Sequence, residues 1–168
     1  MHRKPLRLLG LSLFVGLLIA GCATPKFHVP ELVENSKVLE NGQPSHITVQ
    51  HVLIGFQGSV KGKDIQRTRA EAELLALDLL KRAESGENFG KLVRDYTDDS
   101  PPGIYHLANV GQSADMTSPT PDENVFPRSG MVPAFGDVGF PLRVGEVGLS
   151  TYDPERSPYG WHIIKRLR

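Results

Sequence analysis

Two segments with the composition of β-strands lie far apart in the chain, and each carries one histidine among bulky and β-branched residues. The first spans residues 47–54 and contains His51, and the second spans residues 159–165 and contains His162. Strand alternation places His51 on one face with three apolar residues, Ile47, Val49 and Leu53. If the two strands pair in one sheet, their histidines meet and form a polar floor on an apolar face.

The composition is that of an ordinary globular domain. The chain has 168 residues, 39% of them hydrophobic and 23% charged, which suits one domain with tails. Nineteen basic residues balance 19 acidic ones, so the net charge does not favour nucleic acid as a partner. The six histidines are scattered and Cys22 is the one cysteine, which predicts neither a disulfide nor a metal site. We expect a monomer without a cofactor.

Residues 1–21 have the pattern of an export signal and are excluded from the predicted fold. A basic start precedes an apolar run over residues 8–20, which is too short to span a membrane comfortably. Small residues directly before Cys22 resemble the bacterial lipobox, in which the cysteine is lipidated and becomes the first mature residue. This resemblance implies a membrane anchor at Cys22, and Ala23 after it implies sorting to the periplasmic face of the outer membrane. An ordinary secretory signal that abuts a cysteine is the alternative.

Residues 22–46 are predicted to form a tether between the anchor and the folded domain. The segment is of mixed composition, with several prolines and the turn signal at Asn41 and Gly42. A short helix over residues 31–40 is the alternative, because Leu32, Val33 and Leu39 could anchor it. The domain is therefore expected to span residues 47–168.

Two helices are predicted after the first strand. Thr68 and Glu71 form a capping box at the start of the first helix, and Gly86 is its expected end. Its predicted apolar stripe is Ala70, Leu74, Leu77 and Lys81, with Leu75, Leu79 and Ala83 beside it. Asn88 caps a shorter helix whose apolar stripe is Phe89, Leu92, Val93 and Tyr96.

The second half of the domain is rich in loops. Residues 104–110 are a candidate second strand, and residues 112–129 are a polar insertion that we expect to be a mobile flap. Pro133 can begin a short helix, residues 144–151 are a candidate third strand, and the strand with His162 closes the chain. This order, βααβαββ, predicts an α+β fold with an antiparallel four-stranded sheet and three to four short helices.

Taken together, these segments resemble the parvulin family of peptidyl-prolyl cis-trans isomerases, especially its exported bacterial members. The resemblance covers residues 47–168 with one gap at the insertion. Besides the strand with His51 and the helix after it, it depends on five short blocks in the family's order: GENF at 86–89, YTDDS at 96–100, GMVPAF at 130–135, VGEV at 144–147 and YGWHIIK at 159–165.

The resemblance implies a proline-binding active site. Its two histidines match His51 and His162, and the position that is cysteine or aspartate in the family matches Asp99. Met131 and Phe135 match the residues that cup the proline ring, and Tyr159 falls where the family has serine or an aromatic residue. The strand that supplies another pocket wall departs from the family pattern, so the wall residue is left open between two candidates, Tyr105 and Leu107.

The implied reaction is rotation about X-Pro bonds in unfolded or exported polypeptides. It needs no nucleophile, metal or cofactor, because the enzyme has only to bind the twisted amide better than the planar one. A peptide-binding chaperone without turnover is the alternative function. A basic run near the first helix, Lys61, Lys63, Arg67 and Arg69, is interpreted as a solvated face, and a preference for an acidic residue before proline is its alternative.

Overall fold

A computed structural model describes residues 28–168 of the chain. The expected leader at 1–21 and the anchor at Cys22 lie outside the described residues. Within them, the helices are α1 (Glu31–Glu34), α2 (Arg69–Glu84), α3 (Phe89–Tyr96) and α4 (Pro133–Gly139). The strands are β1 (His46–Ile54), β2 (Ile104–Ala108), β3 (Val125–Pro127), β4 (Val147–Ser150) and β5 (Trp161–Arg166). Over residues 28–168, no helix is both long and apolar enough to cross a bilayer.

The strands form one sheet in the order β3-β2-β1-β5-β4. The predicted α+β class is confirmed, and the four expected strands are antiparallel neighbours. The sheet differs from the prediction by a fifth strand, β3, which runs parallel to β2 at the edge and makes the sheet mixed. The short β3 lies inside the polar insertion, where no strand was expected.

The register of β1 and β5 decides the position of the two histidines. Leu53 lies opposite His162 and His51 lies opposite Ile164, so the histidines are diagonal neighbours on one face. That face packs against α4 through Ile47, Val49, Phe135, Phe140 and Ile164. The opposite face packs against α2 and α3 through residues that include Val52, Ile54, Trp161 and Ile163.

The capping box of α2 is confirmed. The predicted stripe through Ala70, Leu74, Leu77 and Lys81 is wrong, whereas Leu79 and Ala83, expected beside it, are buried. Thr68 and Glu71 cap each other as expected. Leu74 and Leu77 are 68% and 47% exposed, and the buried residues are Ala72, Ala76, Leu79 and Ala83. The small side chains of Ala72 and Ala76 let the helix lie close to the sheet, and the predicted stripe did not include either of them. The stripe of α3 is confirmed, because Phe89, Leu92 and Val93 are buried and Tyr96 packs beside them.

Residues 28–46 pack on the domain, unlike the tether expected over 22–46. Val33 in α1 is 5% exposed and lies with Val29 against Ala108 and Val125. The backbone also doubles back through a bridge between Val38 and Pro44. The short helix that was the alternative for this segment is present in its first turn. Its few apolar residues are spaced too irregularly to reveal this packing from sequence.

The insertion at 112–129, which we expected to be a mobile flap, contains the short strand β3 and is bonded to the rest of the domain. Val125 is 1% exposed, and its backbone N–H and C=O pair with Asp115. His46 Nε2 donates to the carbonyl of Ser113 over 2.8 Å, so a buried side chain of β1 also holds the insertion. Val125 and Phe126 also pack against apolar residues of the domain.

Candidate active site

One pocket, with a volume of about 240 Å³, opens above the histidine face of the sheet. All six residues predicted for the site line it: His51, Asp99, Met131, Phe135, Tyr159 and His162. Four further lining residues are Leu53, Val60, Tyr105 and Val132. The structure thus brings residues from well-separated parts of the sequence to one place. Their roles in a reaction remain predictions.

The two histidines form the floor of the pocket. Their Nδ1 atoms lie 3.1 Å apart, and the rings are stacked with centroids 5.3 Å apart. His51 is 3% exposed and His162 is 4% exposed. The ring of Phe135 stands edge-on to both imidazoles, at 5.1 Å from His51 and 5.6 Å from His162. The aromatic wall therefore stands directly on the polar floor.

Asp99 binds the outer nitrogen of His51. The distance from His51 Nε2 to Asp99 Oδ2 is 3.0 Å, and the carboxyl is partly open to solvent. The hydrogen bond from His51 is the main reason why the pKa of Asp99 falls to about 2, against the opposing effect of burial. An ionised carboxylate can only accept, so His51 Nε2 must carry a hydrogen.

The hydrogen-bond pattern of His162 follows from its burial. Desolvation lowers its pKa to about 3, so the ring is neutral at ordinary pH. In the neutral tautomer of His51 with hydrogen on Nε2, its Nδ1 accepts a hydrogen bond from Nδ1 of His162. This leaves His162 Nε2 as a bare acceptor, and among residues 28–168 it has no hydrogen-bond partner.

The loop that carries Asp99 is fastened to the end of β1. Thr97 accepts from the N–H of Leu53 at 3.1 Å, and the N–H of Asp98 donates to the carbonyl of Leu53 at 2.8 Å. The carboxylate of Asp98 accepts from the N–H of Gly55 at 2.7 Å and pairs with Arg67. These bonds hold the neighbouring Asp99 within reach of His51.

Tyr105 supplies the pocket wall that the sequence left open. It lies opposite Val49 in the β1–β2 pair, which puts it on the face of His51. Its hydroxyl donates to Asp99 Oδ2 over 3.1 Å, and its ring is edge-on to His51 at 5.4 Å. The other candidate, Leu107, is fully buried in the core. Tyr105 therefore contacts both the polar and the aromatic parts of the site.

The remaining walls come from α4 and from two loops. Pro133 occupies the first turn of α4, as predicted, and the helix carries Phe135 inward beside Met131 and Val132. Tyr159 is 46% exposed at the rim, where its carbonyl accepts from the hydroxyl of Ser59 at 2.9 Å. Leu53 and Val60 complete the apolar lining. Leu53 follows from strand alternation around His51, and Val132 lies inside the block GMVPAF, whereas no signal in the sequence marks Val60.

The basic run near the pocket is not a free cluster of cations. Arg67 pairs with Asp98 and also donates to the carbonyl of Gly55 at 3.1 Å. Arg69 lies over the ring of Tyr152 at 5.8 Å. Lys61 and Lys63 are exposed. Half of the run therefore has a structural role.

Among residues 28–168, no three histidine, cysteine or acidic side chains form a group suited to a metal ion.

The chain is similar to known proteins over most of its length. The model of the PPIC-type PPIASE domain family matches residues 33–167. The chain is 30% identical over 156 residues to the chaperone SurA of Pseudomonas aeruginosa, which covers 93% of this chain and 31% of SurA. It is 31% identical over 149 residues to the foldase protein PrsA of Caldanaerobacter subterraneus subsp. tengcongensis, which covers 78% of this chain and 43% of that protein.

A solved structure shares the fold. The peptidyl-prolyl isomerase ESS1 from Candida albicans superposes with a TM-score of 0.54 and 25% sequence identity, covering 79% of this chain and 66% of that chain. The chain spans less than half the length of the two bacterial relatives. The similarity therefore concerns the domain at 33–167 and not the whole of those proteins.

Proposed function

The chain belongs to the PPIC-type peptidyl-prolyl cis-trans isomerase family, the parvulins, and we propose that it accelerates rotation about X-Pro bonds in unfolded, exported polypeptides. The observation that carries the proposal is the pocket in which Asp99, the two histidines and Phe135 converge. Its apolar side suits a pyrrolidine ring, and its polar side faces the position of the preceding carbonyl. The names of the relatives, chaperone and foldase, support unfolded polypeptides as substrates.

The proline ring would bind between Phe135, Met131 and Tyr105. A pocket of this kind excludes water from the ring and fixes it while the carbonyl side turns. Rotation about the planar amide has a barrier of about 18–20 kcal/mol because resonance gives the C–N bond double-bond character. Groups that stabilise the twisted amide more than the planar one lower this barrier.

Asp99 would act through its charge. The planar amide places partial negative charge on its oxygen and partial positive charge on its nitrogen. A carboxylate beside the oxygen disfavours that separation and so favours the twisted, unconjugated state. The low pKa of Asp99, about 2, keeps the charge present throughout the physiological range.

His51 and His162 would keep Asp99 in place. Because His162 is neutral and buried, its bond to His51 fixes the ring that in turn binds Asp99. No proton has to leave either histidine for the amide to rotate. The pair is therefore a rigid polar support within the reaction, without any role as acid or base.

The location that we propose is the cell envelope. Cys22 would be lipidated and would anchor the chain on the periplasmic face of the outer membrane. The support is the apolar run at 8–20 and the small residues before Cys22. Labelling of cells with a radioactive fatty acid tests the anchor. Cys22→Ala should abolish both the label and membrane association, and label retained in that variant contradicts it.

Exchange NMR on an Ala-Pro peptide tests the proposed activity. The purified full-length chain in mild detergent should speed cis-trans exchange of the peptide, and the uncatalysed reaction takes tens of seconds or longer. Binding of the peptide without faster exchange would favour the peptide-binding chaperone. If the chain neither binds the peptide nor speeds its exchange, both functions are refuted.

A further inference from the structure

Tyr105 makes a contact that an apolar wall residue cannot make. Its ring packs edge-on against Phe135 and Phe126, with centroids 6.0 and 5.8 Å away, and a phenylalanine would satisfy both contacts. The hydroxyl is the additional feature, and it donates to Asp99 Oδ2 over 3.1 Å. The direction of this bond is fixed, because an ionised carboxylate only accepts.

Asp99 Oδ2 therefore receives two hydrogen bonds from two different strands. His51 Nε2 in β1 lies 3.0 Å away, and the Tyr105 hydroxyl in β2 lies 3.1 Å away. The backbone N–H of Ser100 also bonds the carboxylate. The Tyr105 hydroxyl adds a second side-chain donor, on the oxygen that His51 binds, and so restricts rotation of the carboxylate further. Its orientation toward the pocket is then set by both strands.

We propose that Tyr105 is a positioning residue for prolyl isomerisation, whose hydroxyl holds the Asp99 carboxylate in the orientation that faces the substrate. The proposal rests on the isomerase function proposed above. It assigns the phenolic oxygen of Tyr105 a task separate from the wall formed by its ring. Tyr105 would act on the amide only through Asp99.

The backbone between the two residues supports this assignment. The chain turns back after Asp99, so that β2 begins at Ile104 and Tyr105 faces Asp99 from six residues away. At the turn, the carbonyl of Gly103 accepts from the N–H of His51 at 2.9 Å. The same pairing that aligns β2 with β1 therefore brings the Tyr105 hydroxyl to the oxygen that His51 already binds.

The electrostatics of the pair agree with a bond between a phenol and a charged carboxylate. Burial, followed by the charge of Asp99, raises the pKa of Tyr105 to about 12, so the hydroxyl keeps its proton. The bond from Tyr105 also contributes to the low pKa of Asp99, after the larger effects of His51 and of the backbone N–H of Ser100. Removal of the hydroxyl should accordingly raise the pKa of Asp99.

A double-mutant cycle tests the proposal with the full-length chain. Tyr105→Phe keeps the ring and removes the hydroxyl, and it should lower kcat/KM on an Ala-Pro peptide about threefold to tenfold, the effect of one hydrogen bond. In a background of Asp99→Ala, the same substitution should have no further effect. The matched control is Tyr152→Phe, since the hydroxyl of Tyr152 has no hydrogen-bond partner among residues 28–168, and turnover should be unchanged.

Equal loss of turnover in both backgrounds would overturn the proposal, because Tyr105 would then act independently of Asp99. No loss in the wild-type background would overturn it as well. A second readout is independent of turnover: carbon NMR of the Asp99 carboxyl should show a higher pKa in Tyr105→Phe. If the wild-type chain binds peptide without isomerising it, the proposed function fails, and an unshifted carboxyl titration then also rejects the Tyr105 contact.

Discussion

The Nδ1 atoms of His51 and His162 lie 3.1 Å apart although 111 positions separate the two residues in the chain. The two residues lie on adjacent antiparallel strands, where the direct partner of His162 is Leu53. His51 and His162 are therefore diagonal neighbours on the same face of the sheet. A shift of one residue in the β1–β5 register would send one histidine to the opposite face. The site therefore depends on strand register as much as on the identity of its residues.

Asp99→Ala is expected to lower isomerase turnover without unfolding the domain. The carboxylate is partly exposed at the pocket, so its loss removes the charge beside the substrate carbonyl but little packing. We expect kcat/KM on an Ala-Pro peptide to fall by about tenfold or more. Exchange NMR measures the rate, and thermal unfolding monitors the fold. Asp64→Ala, in an exposed loop, serves as the control. Unchanged turnover in Asp99→Ala would remove its catalytic role.

Burial of His162 is expected to make the protein less stable in acid. Its pKa is about 3 in the fold and about 6.5 in the unfolded chain, so the unfolded chain binds more protons between these values. The free energy of unfolding should thus decrease as pH falls below 6.5, by up to about 1.4 kcal/mol per pH unit. The lowered pKa of Asp99 contributes only below about pH 4, once its own unfolded value is reached.

The comparison that isolates this effect is between wild type and His162→Leu. Urea unfolding at several pH values between about 6.5 and 4 should show a smaller slope in the variant. The pKa of buried His106 is also lowered and acts in the same direction, but it is common to both proteins. Identical slopes would show that His162 titrates normally in the fold.

Gly103→Ala is expected to disturb the backbone beside His51. Gly103 has φ +63°, and a Cβ at this position would lie 2.8 Å from the carbonyl oxygen of His51. Gly111→Ala is a matched control, because Gly111 has φ +75° and no atom within 4 Å of such a Cβ. The positive φ should cost both variants about 1–2 kcal/mol of unfolding free energy. Steric overlap should cost Gly103→Ala about 1–3 kcal/mol more. Equal losses of unfolding free energy in the two variants would show that the backbone at residue 103 can move away from His51 without cost.

Val33→Ala is expected to destabilise the domain although the sequence assigned this position to a tether. Val33 is 5% exposed, and its truncation should lower the free energy of unfolding by about 1–3 kcal/mol. Val38 is 78% exposed, and Val38→Ala should change stability by less than about 0.5 kcal/mol. If chemical unfolding finds the two variants equal, α1 does not pack on the sheet in solution.

The parts of the fold that sequence predicted are those with a strong local signal. The capping box at Thr68, the stripe of α3 and the alternation around His51 each follow from one residue pattern, and the structure contains all three. The approach of His51 to His162 also followed, once two strands of the same character were assumed to pair. The candidate site was thus accessible because its residues sit in recognisable blocks.

What the sequence missed depends on packing between distant segments. The burial of Val33 and Val125 requires both to meet at Ala108, and no local pattern records that contact. The choice between Tyr105 and Leu107 depended on the register of β2 against β1, which a strand of five residues does not specify. Alanine-based packing of α2 escaped for a related reason, since Ala72 and Ala76 are informative only beside the sheet.

Peptides with glutamate or alanine before proline are expected to isomerise at similar rates. Arg67 is neutralised by Asp98, and the neighbouring Val60 presents an apolar side chain to the pocket. Lys61 and Lys63 are exposed, and charges of that kind contribute about 0–1 kcal/mol to an interaction. We therefore expect kcat/KM for the two peptides to agree within about fivefold at 0.15 M salt. A larger advantage for glutamate that disappears in a Lys61→Ala and Lys63→Ala double variant would instead establish a preference for acidic substrates, with these two lysines as its source.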